Sequence, residues 1–208
     1  MEIDYSLYLV TNRENKSKEN FLKIIEESIK GGVTLIQLRE KTVSTQEFFN
    51  IATNVKEITK KYNVPLIIND RIDIALAIDA EGVHIGQDDM PTKIARKIIG
   101  PNKILGVSAH NLKEAKKAEE NGANYLGIGA IFTTTTKDDA NDVSIKTLKR
   151  ITESVDIPTV AIGGINLENA NQLKNTKIAG FSVVSAIMEA KEPKIASKKL
   201  KEIYENLE

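Results

Sequence analysis

Eight short apolar, mostly β-branched runs punctuate the chain at regular intervals, and a longer stretch with helical spacing follows each of them. The runs are Tyr5 to Val10, Thr34 to Leu38, Pro65 to Ile68, Gly82 to Ile85, Ile104 to Val107, Tyr125 to Ile128, Thr159 to Ile162 and Gly180 to Val184. Such alternation predicts βα units on a parallel sheet. One intervening stretch carries Phe21, Leu22, Ile25, Ser28 and Ile29 at helical spacing before a Gly31–Gly32 stop. Another, Thr45 to Tyr62, gathers Phe48, Ile51, Ala52, Val55 and Ile58 on one face and leaves Lys56, Lys60 and Lys61 elsewhere. Helices are also expected over Ile72 to Ile78, Thr92 to Ile99, Leu112 to Asn121, Ser144 to Ser154, Leu167 to Asn175 and Pro193 to Leu207.

Because the strands are nearly continuous apolar runs, they suit parallel strands covered by helices better than an antiparallel sheet with one wet face. Eight units in 208 residues leave about 26 residues each, enough for a strand, a helix and two short connections. The fold class expected is α/β, a compact (β/α)8 TIM barrel forming a single domain over residues 1–208. An open doubly wound sheet would ordinarily need fewer strands and a Gly-rich fingerprint after the first, which is absent.

Composition narrows function by exclusion. With 29 Lys or Arg against 29 Asp or Glu the formal net charge is +0, which argues against nucleic acid or a membrane surface as a partner. The absence of cysteine excludes a disulfide framework, a thiolate zinc site, an iron–sulfur cluster and a cysteine nucleophile, and two histidines cannot build a three-histidine site. Any metal would rest on oxygen ligands. Met1 to Asn12 lacks a basic segment followed by a long apolar stretch, and no apolar run approaches about 18 residues, so cytoplasm is the expected location. Whether the chain forms a homo-oligomer is left open.

Polar residues that are hard to explain as surface solvation follow the predicted strands one after another. They are Gln37, Arg39 and Lys41; Asn69, Asp70 and Arg71; Gln87, Asp88 and Asp89; Ser108 and His110; Thr133 to Lys137; Gly163–Gly164; and Val184–Ser185. In a parallel barrel these loops converge on one face. Arg39, Lys41 and Lys137 would bring cations to that mouth, while Asp70 and Asp89 come from neighbouring strands roughly 5 Å apart. Two such carboxylates suit Mg²⁺ completed by substrate phosphate oxygens. Gly163–Gly164 and the short helix opened by Val184–Ser185 match the recurrent phosphate site of these barrels. Two anionic subsites are therefore expected, one metal-assisted and one metal-free.

Each feature also has a plainer explanation. Asp88–Asp89 ahead of Met90–Pro91 could cap a helix, Gly163–Gly164 could be a tight turn, and the threonines could serve loop hydrogen bonds. His84, inside an apolar strand, reads as a core or rim histidine, and His110 after Ser108–Ala109 lacks the nucleophile elbow of a serine hydrolase. Lys198, Lys199 and Lys201 read as the wet face of a terminal helix. These explanations weaken jointly, because unrelated surface accidents would not all fall at strand C-termini.

In order along the chain stand Leu7-Tyr8-Leu9-Val10-Thr11, Gln37-Leu38-Arg39-Glu40-Lys41, Ile68-Asn69-Asp70-Arg71, His84-Ile85-Gly86-Gln87-Asp88-Asp89, Thr134-Thr135-Thr136-Lys137 and Ile162-Gly163-Gly164-Ile165. This ordered set resembles the thiamine-phosphate synthases over nearly the whole chain. The resemblance implies coupling of 4-amino-2-methyl-5-hydroxymethylpyrimidine diphosphate to 4-methyl-5-(2-hydroxyethyl)thiazole phosphate, with Mg²⁺ as cofactor and diphosphate as leaving group. It implies that Gln37, Leu38, Arg39, Glu40, Lys41, Asn69, Ser108 and Lys137 bind the pyrimidine diphosphate and that Asp70 and Asp89 hold Mg²⁺. It assigns Thr134, Thr136, Gly164, Val184 and Ser185 to the thiazole phosphate, with Thr135 among the substrate contacts, and Arg39, Lys41, Lys137 and Ser108 to catalysis. Ala130 and Thr133 stand where the family often has proline, and Asn12 where an aspartate is common.

Three other readings compete with this one. A thiazole tautomerase of the same barrel would need neither the carboxylate pair nor the cations. A lyase forming a Schiff base on Lys41 or Lys137 would need a desolvated amine. A non-catalytic sensor of thiamine precursors would have no use for a metal pair.

Overall fold

A computed structural model describes residues 3–133 and 143–207. Its eight strands are β1 (Leu7–Val10), β2 (Leu35–Leu38), β3 (Leu66–Asn69), β4 (Gly82–Ile85), β5 (Ile104–Ala109), β6 (Tyr125–Ile128), β7 (Thr159–Ile162) and β8 (Gly180–Val183). They close in sequence order, β8 pairing back onto β1, and every ladder is parallel. The α-helices are α1 (Lys18–Lys30), α2 (Thr45–Lys61), α3 (Ile72–Ala77), α4 (Thr92–Ile99), α5 (Leu112–Glu120), α6 (Ile145–Thr152), α7 (Ser185–Met188) and α8 (Pro193–Glu205). The (β/α)8 barrel expected from the periodicity is the architecture found. Among the described residues no helix is long and apolar enough to cross a membrane.

Local chemistry starts several of these helices. Ser17, Ser44, Asn111 and Ser144 each accept a hydrogen bond from the backbone N–H three residues on, satisfying an otherwise orphaned donor. One expectation fails. The segment Leu167 to Asn175 does not form an α-helix but a single 3₁₀ turn, Ala170–Leu173. Asn166 Oδ1 accepts from the backbone N–H groups of Glu168 and Asn169, and Asn169 Oδ1 accepts from that of Asn166. These side chains offer the backbone an alternative to the helical ladder, and Asn175 and Lys177 then turn through positive φ.

Strand alternation divides the core in two. Leu7, Leu9, Ile36, Leu38, Leu66, Ile68, Val83, Ile85 and Phe181 belong to the large cluster shared with the helices. Tyr8, Leu35, Ile67, Tyr125 and Val160 form a second cluster inside the barrel. Glycine makes room there. A Cβ on Gly106 would sit 2.1 Å from Tyr125 Cζ, and one on Gly127 would sit 3.1 Å from His84 Cε1. Gly106→Ala is therefore expected to cost about 1–3 kcal/mol by overpacking, read as a lower urea midpoint, and an unchanged midpoint would contradict this placement of the Tyr125 ring.

Candidate active site

The inward alternation that fills the lower barrel with rings turns polar toward the strand C-termini. Gln37, Asn69, His84 and Ser182 are all buried and Ser108 is half-buried. Of the segment Gln37 to Lys41, only part faces this mouth. Gln37 reaches the Tyr8 hydroxyl, whereas the Leu38 side chain lies fully buried in the helix-facing cluster. Glu40 pairs with Arg13 at 3.1 Å, and Arg13 also holds Glu47 at 2.9 Å. Burial pushes the Glu40 carboxyl up, and the Arg13 guanidinium opposes it. Arg39 is tied through its backbone N–H to Thr11 Oγ1, 3.2 Å away, and its buried Nε has no hydrogen-bond partner among the described residues. A buried charged donor left unpaired is costly, so this nitrogen is placed for an acceptor that the described residues do not supply.

At the ends of β3 and β4 the two aspartates meet. Asp70 adopts a positive φ of 60° directly after β3, its backbone N–H held by the His84 carbonyl at 2.8 Å. Aspartate tolerates that left-handed conformation better than most residues. Lys41 Nζ lies 2.7 Å from Asp70 Oδ2, and Asp89 Oδ2 accepts from the Gly86 N–H at 2.7 Å. Burial raises the Asp70 carboxyl above its usual range; the Lys41 ammonium draws it down, and the adjacent Asp89 carboxylate pushes it up. Among the described residues no three acidic or imidazole side chains gather as a self-sufficient metal cage. Two mutually repelling carboxylates, with further positions left to water and substrate, fit Mg²⁺, which is usually held by one or two carboxylates plus phosphate oxygens.

The opposite side of the mouth is built from backbone. Gly163 and Gly164 both take positive φ, 99° and 64°, and a Cβ on Gly164 would fall 2.6 Å from the Thr133 carbonyl oxygen. Only glycine fits such a position. Asn169 Nδ2 donates to the Gly164 carbonyl at 2.8 Å, pinning the turn. Val184, half-buried, and Ser185, exposed, lead into α7 after β8. Thr134, Thr135, Thr136 and Lys137 lie outside the described residues.

Other post-strand residues are drawn elsewhere. Arg71 donates to Asp73 and to Thr45 Oγ1, and the backbone N–H of His110 donates to Glu114 Oε2 at 2.8 Å, with Nδ1 3.0 Å from the same oxygen. Gln87 Nε2 donates to the Ser108 carbonyl at 2.6 Å. Sequence reasoning overlooked Tyr8 and Tyr125. Their signal was the alternation that turns both inward, together with the small Gly106 one ladder step from Tyr125.

Comparison with known proteins agrees with the fold and points to one family. A family model described as thiamine monophosphate synthase matches residues 7–187. The chain is 66% identical over 198 residues to a thiamine-phosphate synthase of Methanobrevibacter smithii, covering 95% of this chain and 94% of that one. It is 57% identical over 205 residues to a thiamine-phosphate synthase of Ruminiclostridium cellulolyticum, covering 99% and 98%. The solved thiamine phosphate pyrophosphorylase from Pyrococcus furiosus superposes with a TM-score of 0.90 at 40% identity, covering 98% of this chain and 97% of that one.

Proposed function

The chain belongs to the thiamine monophosphate synthase family, and we propose that it joins 4-amino-2-methyl-5-hydroxymethylpyrimidine diphosphate to 4-methyl-5-(2-hydroxyethyl)thiazole phosphate, yielding thiamine monophosphate and diphosphate, within one barrel domain. The observation that carries this reading is the meeting of Lys41, Asp70 and Asp89 at the same strand ends as Gln37, Asn69 and Ser108. A diphosphate needs cations and a hard metal; an uncharged ring needs hydrogen-bond groups beside them.

The pyrimidine ring lies against Gln37, Asn69 and Ser108, and its diphosphate against Arg39, Lys41 and Lys137. Leu38 and Glu40 contribute through the backbone, since their side chains are engaged elsewhere. Asp70 and Asp89 would hold Mg²⁺, which supplies Lewis-acid stabilisation of the departing diphosphate. The thiazole phosphate sits against Gly164, Val184 and Ser185 with Thr134, Thr135 and Thr136. The bond between the pyrimidine methylene carbon and the diphosphate oxygen breaks, and its electron pair leaves with diphosphate. The electron-rich aminopyrimidine carries the positive charge until the thiazole nitrogen donates its lone pair to that carbon. No side chain needs to act as a nucleophile. Arg39 and Lys41 neutralise the charge that develops, and the barrel walls hold the two rings in line.

A Schiff-base lyase is disfavoured by a specific contact. Lys41 is half exposed and paired with a carboxylate, the opposite of the desolvated environment an imine-forming lysine requires. The direct test is diphosphate release with each substrate alone and with both, before and after chelation. Release is expected only with both substrates, to stop on adding EDTA and to return with excess Mg²⁺; release from the pyrimidine diphosphate alone at the full rate would overturn the coupling.

A further inference from the structure

Five side chains inside the barrel form one hydrogen-bonded chain, and three of them have no part in the reading above. Gln37 Nε2 donates to the Tyr8 hydroxyl at 2.6 Å, and that hydroxyl is 2.7 Å from the hydroxyl of Tyr125. The Tyr125 hydroxyl is 2.9 Å from His84 Nδ1, and His84 Nε2 is 2.9 Å from Ser108 Oγ. Both ends of the chain, Gln37 and Ser108, are contacts to the pyrimidine substrate in the proposed function, on which this inference rests.

Proton counting fixes the direction. A phenol has one hydrogen to give. Tyr8 receives from Gln37 and so gives its own hydrogen to Tyr125, which in turn gives to His84 Nδ1. The imidazole must then carry its proton on Nε2 and donate it to Ser108 Oγ. The reverse direction would leave the Tyr8 hydrogen facing two donors. Burial pushes both phenols far above their ordinary range, so neither loses that hydrogen near neutral pH. Gly106 leaves room for the Tyr125 ring and Gly127 for the His84 imidazole.

We propose that His84 is a positioning residue for the pyrimidine diphosphate: by donating from Nε2 to Ser108 it frees the serine hydroxyl hydrogen to point at the substrate, in register with Gln37 at the other end of the chain. A histidine that merely fills the core would not favour one substrate over the other.

Two variants separate these roles. His84→Asn keeps an amide near Nδ1 and loses the reach to Ser108, whereas His84→Gln keeps an N–H near Nε2. His84→Asn is expected to raise KM for the pyrimidine diphosphate or lower kcat/KM for it roughly 10- to 100-fold, with KM for the thiazole phosphate unchanged, and His84→Gln to recover most of the loss. In a Ser108→Ala background His84→Asn should add little. Equal loss in both His84 variants, or losses from His84→Asn and Ser108→Ala that multiply, would overturn the inference. Nitrogen NMR of the unsubstituted protein tests it without relying on any variant's folding or on turnover. With only two histidines in the chain, the His84 signal should show a protonated Nε2 and a bare Nδ1, and the opposite tautomer would sink the proposal. Absence of diphosphate release by the parent protein would instead overturn the proposed function, leaving the tautomer measurement to stand alone.

Discussion

Asp89→Ala is expected to lower diphosphate release roughly 100- to 1000-fold, the size of losing one positioned electrostatic stabiliser, while the folding free energy changes by no more than about 1 kcal/mol. The two effects part because the side chain serves charge and not packing. Asp89 is exposed, and its carboxylate accepts the Gly86 N–H. Against the loss of that bond stands relief of the repulsion that, after burial, helps to raise the Asp70 carboxyl. A carboxyl raised in the folded state binds protons that the unfolded chain has already released, so its contribution to stability falls as pH rises through the window just above the ordinary aspartate range. Removing Asp89 should flatten that fall. Urea midpoints across this window, measured beside steady-state turnover, check both halves. Near-parental turnover would remove Asp89 from the metal pair, and a large loss of stability would make it a folding residue.

Arg39→Ala should depress kcat/KM for the pyrimidine diphosphate by a similar factor, about 100- to 1000-fold, and leave KM for the thiazole phosphate near its starting value. Arg39 is anchored by its backbone to Thr11, and its buried Nε has no acceptor among the described residues. Folding therefore gains little from this guanidinium, and an incoming phosphate oxygen would give Nε the partner it lacks. Arg39→Lys should recover only part of the loss, because an ammonium cannot reproduce the planar fork of donors. Full recovery with lysine would reduce the role of Arg39 to charge alone. A rise in KM confined to the thiazole phosphate would move Arg39 to the other subsite.

Most of the mouth could be read without coordinates because a strand's C-terminal end is a local property. Asn69 and Asp70 stand where the apolar run Pro65 to Ile68 stops, and Ser108 stands where Ile104 to Val107 stops. In a parallel barrel every such end lies on the same face. The segment Leu167 to Asn175 misled for the same reason in reverse. Its apolar spacing suited a helix, but the asparagines bond the backbone at short range and hold it in one 3₁₀ turn. Leu38 and Glu40, inside a motif that resemblance assigns whole to the pyrimidine diphosphate, proved to send their side chains to the outer core and to Arg13. Alternation along β2 turns Leu38 away from the side that Gln37 faces, and Glu40, beyond the strand, is drawn off by Arg13.

By itself the sequence determined the number of strands, their parallel order, the family, and the gathering of cations and carboxylates at one mouth despite a net charge of +0. These rest on periodicity and on residues close together in the chain. Only the closed barrel decided which interior groups meet. Tyr8 and Tyr125 are 117 positions apart and lie on strands that are not paired with each other, yet their hydroxyls are 2.7 Å apart. The diameter of the closed barrel and the space left by Gly106 set that distance. Neither is carried by any short stretch of sequence, so the path from Gln37 through His84 to Ser108 exists only once all eight strands have closed.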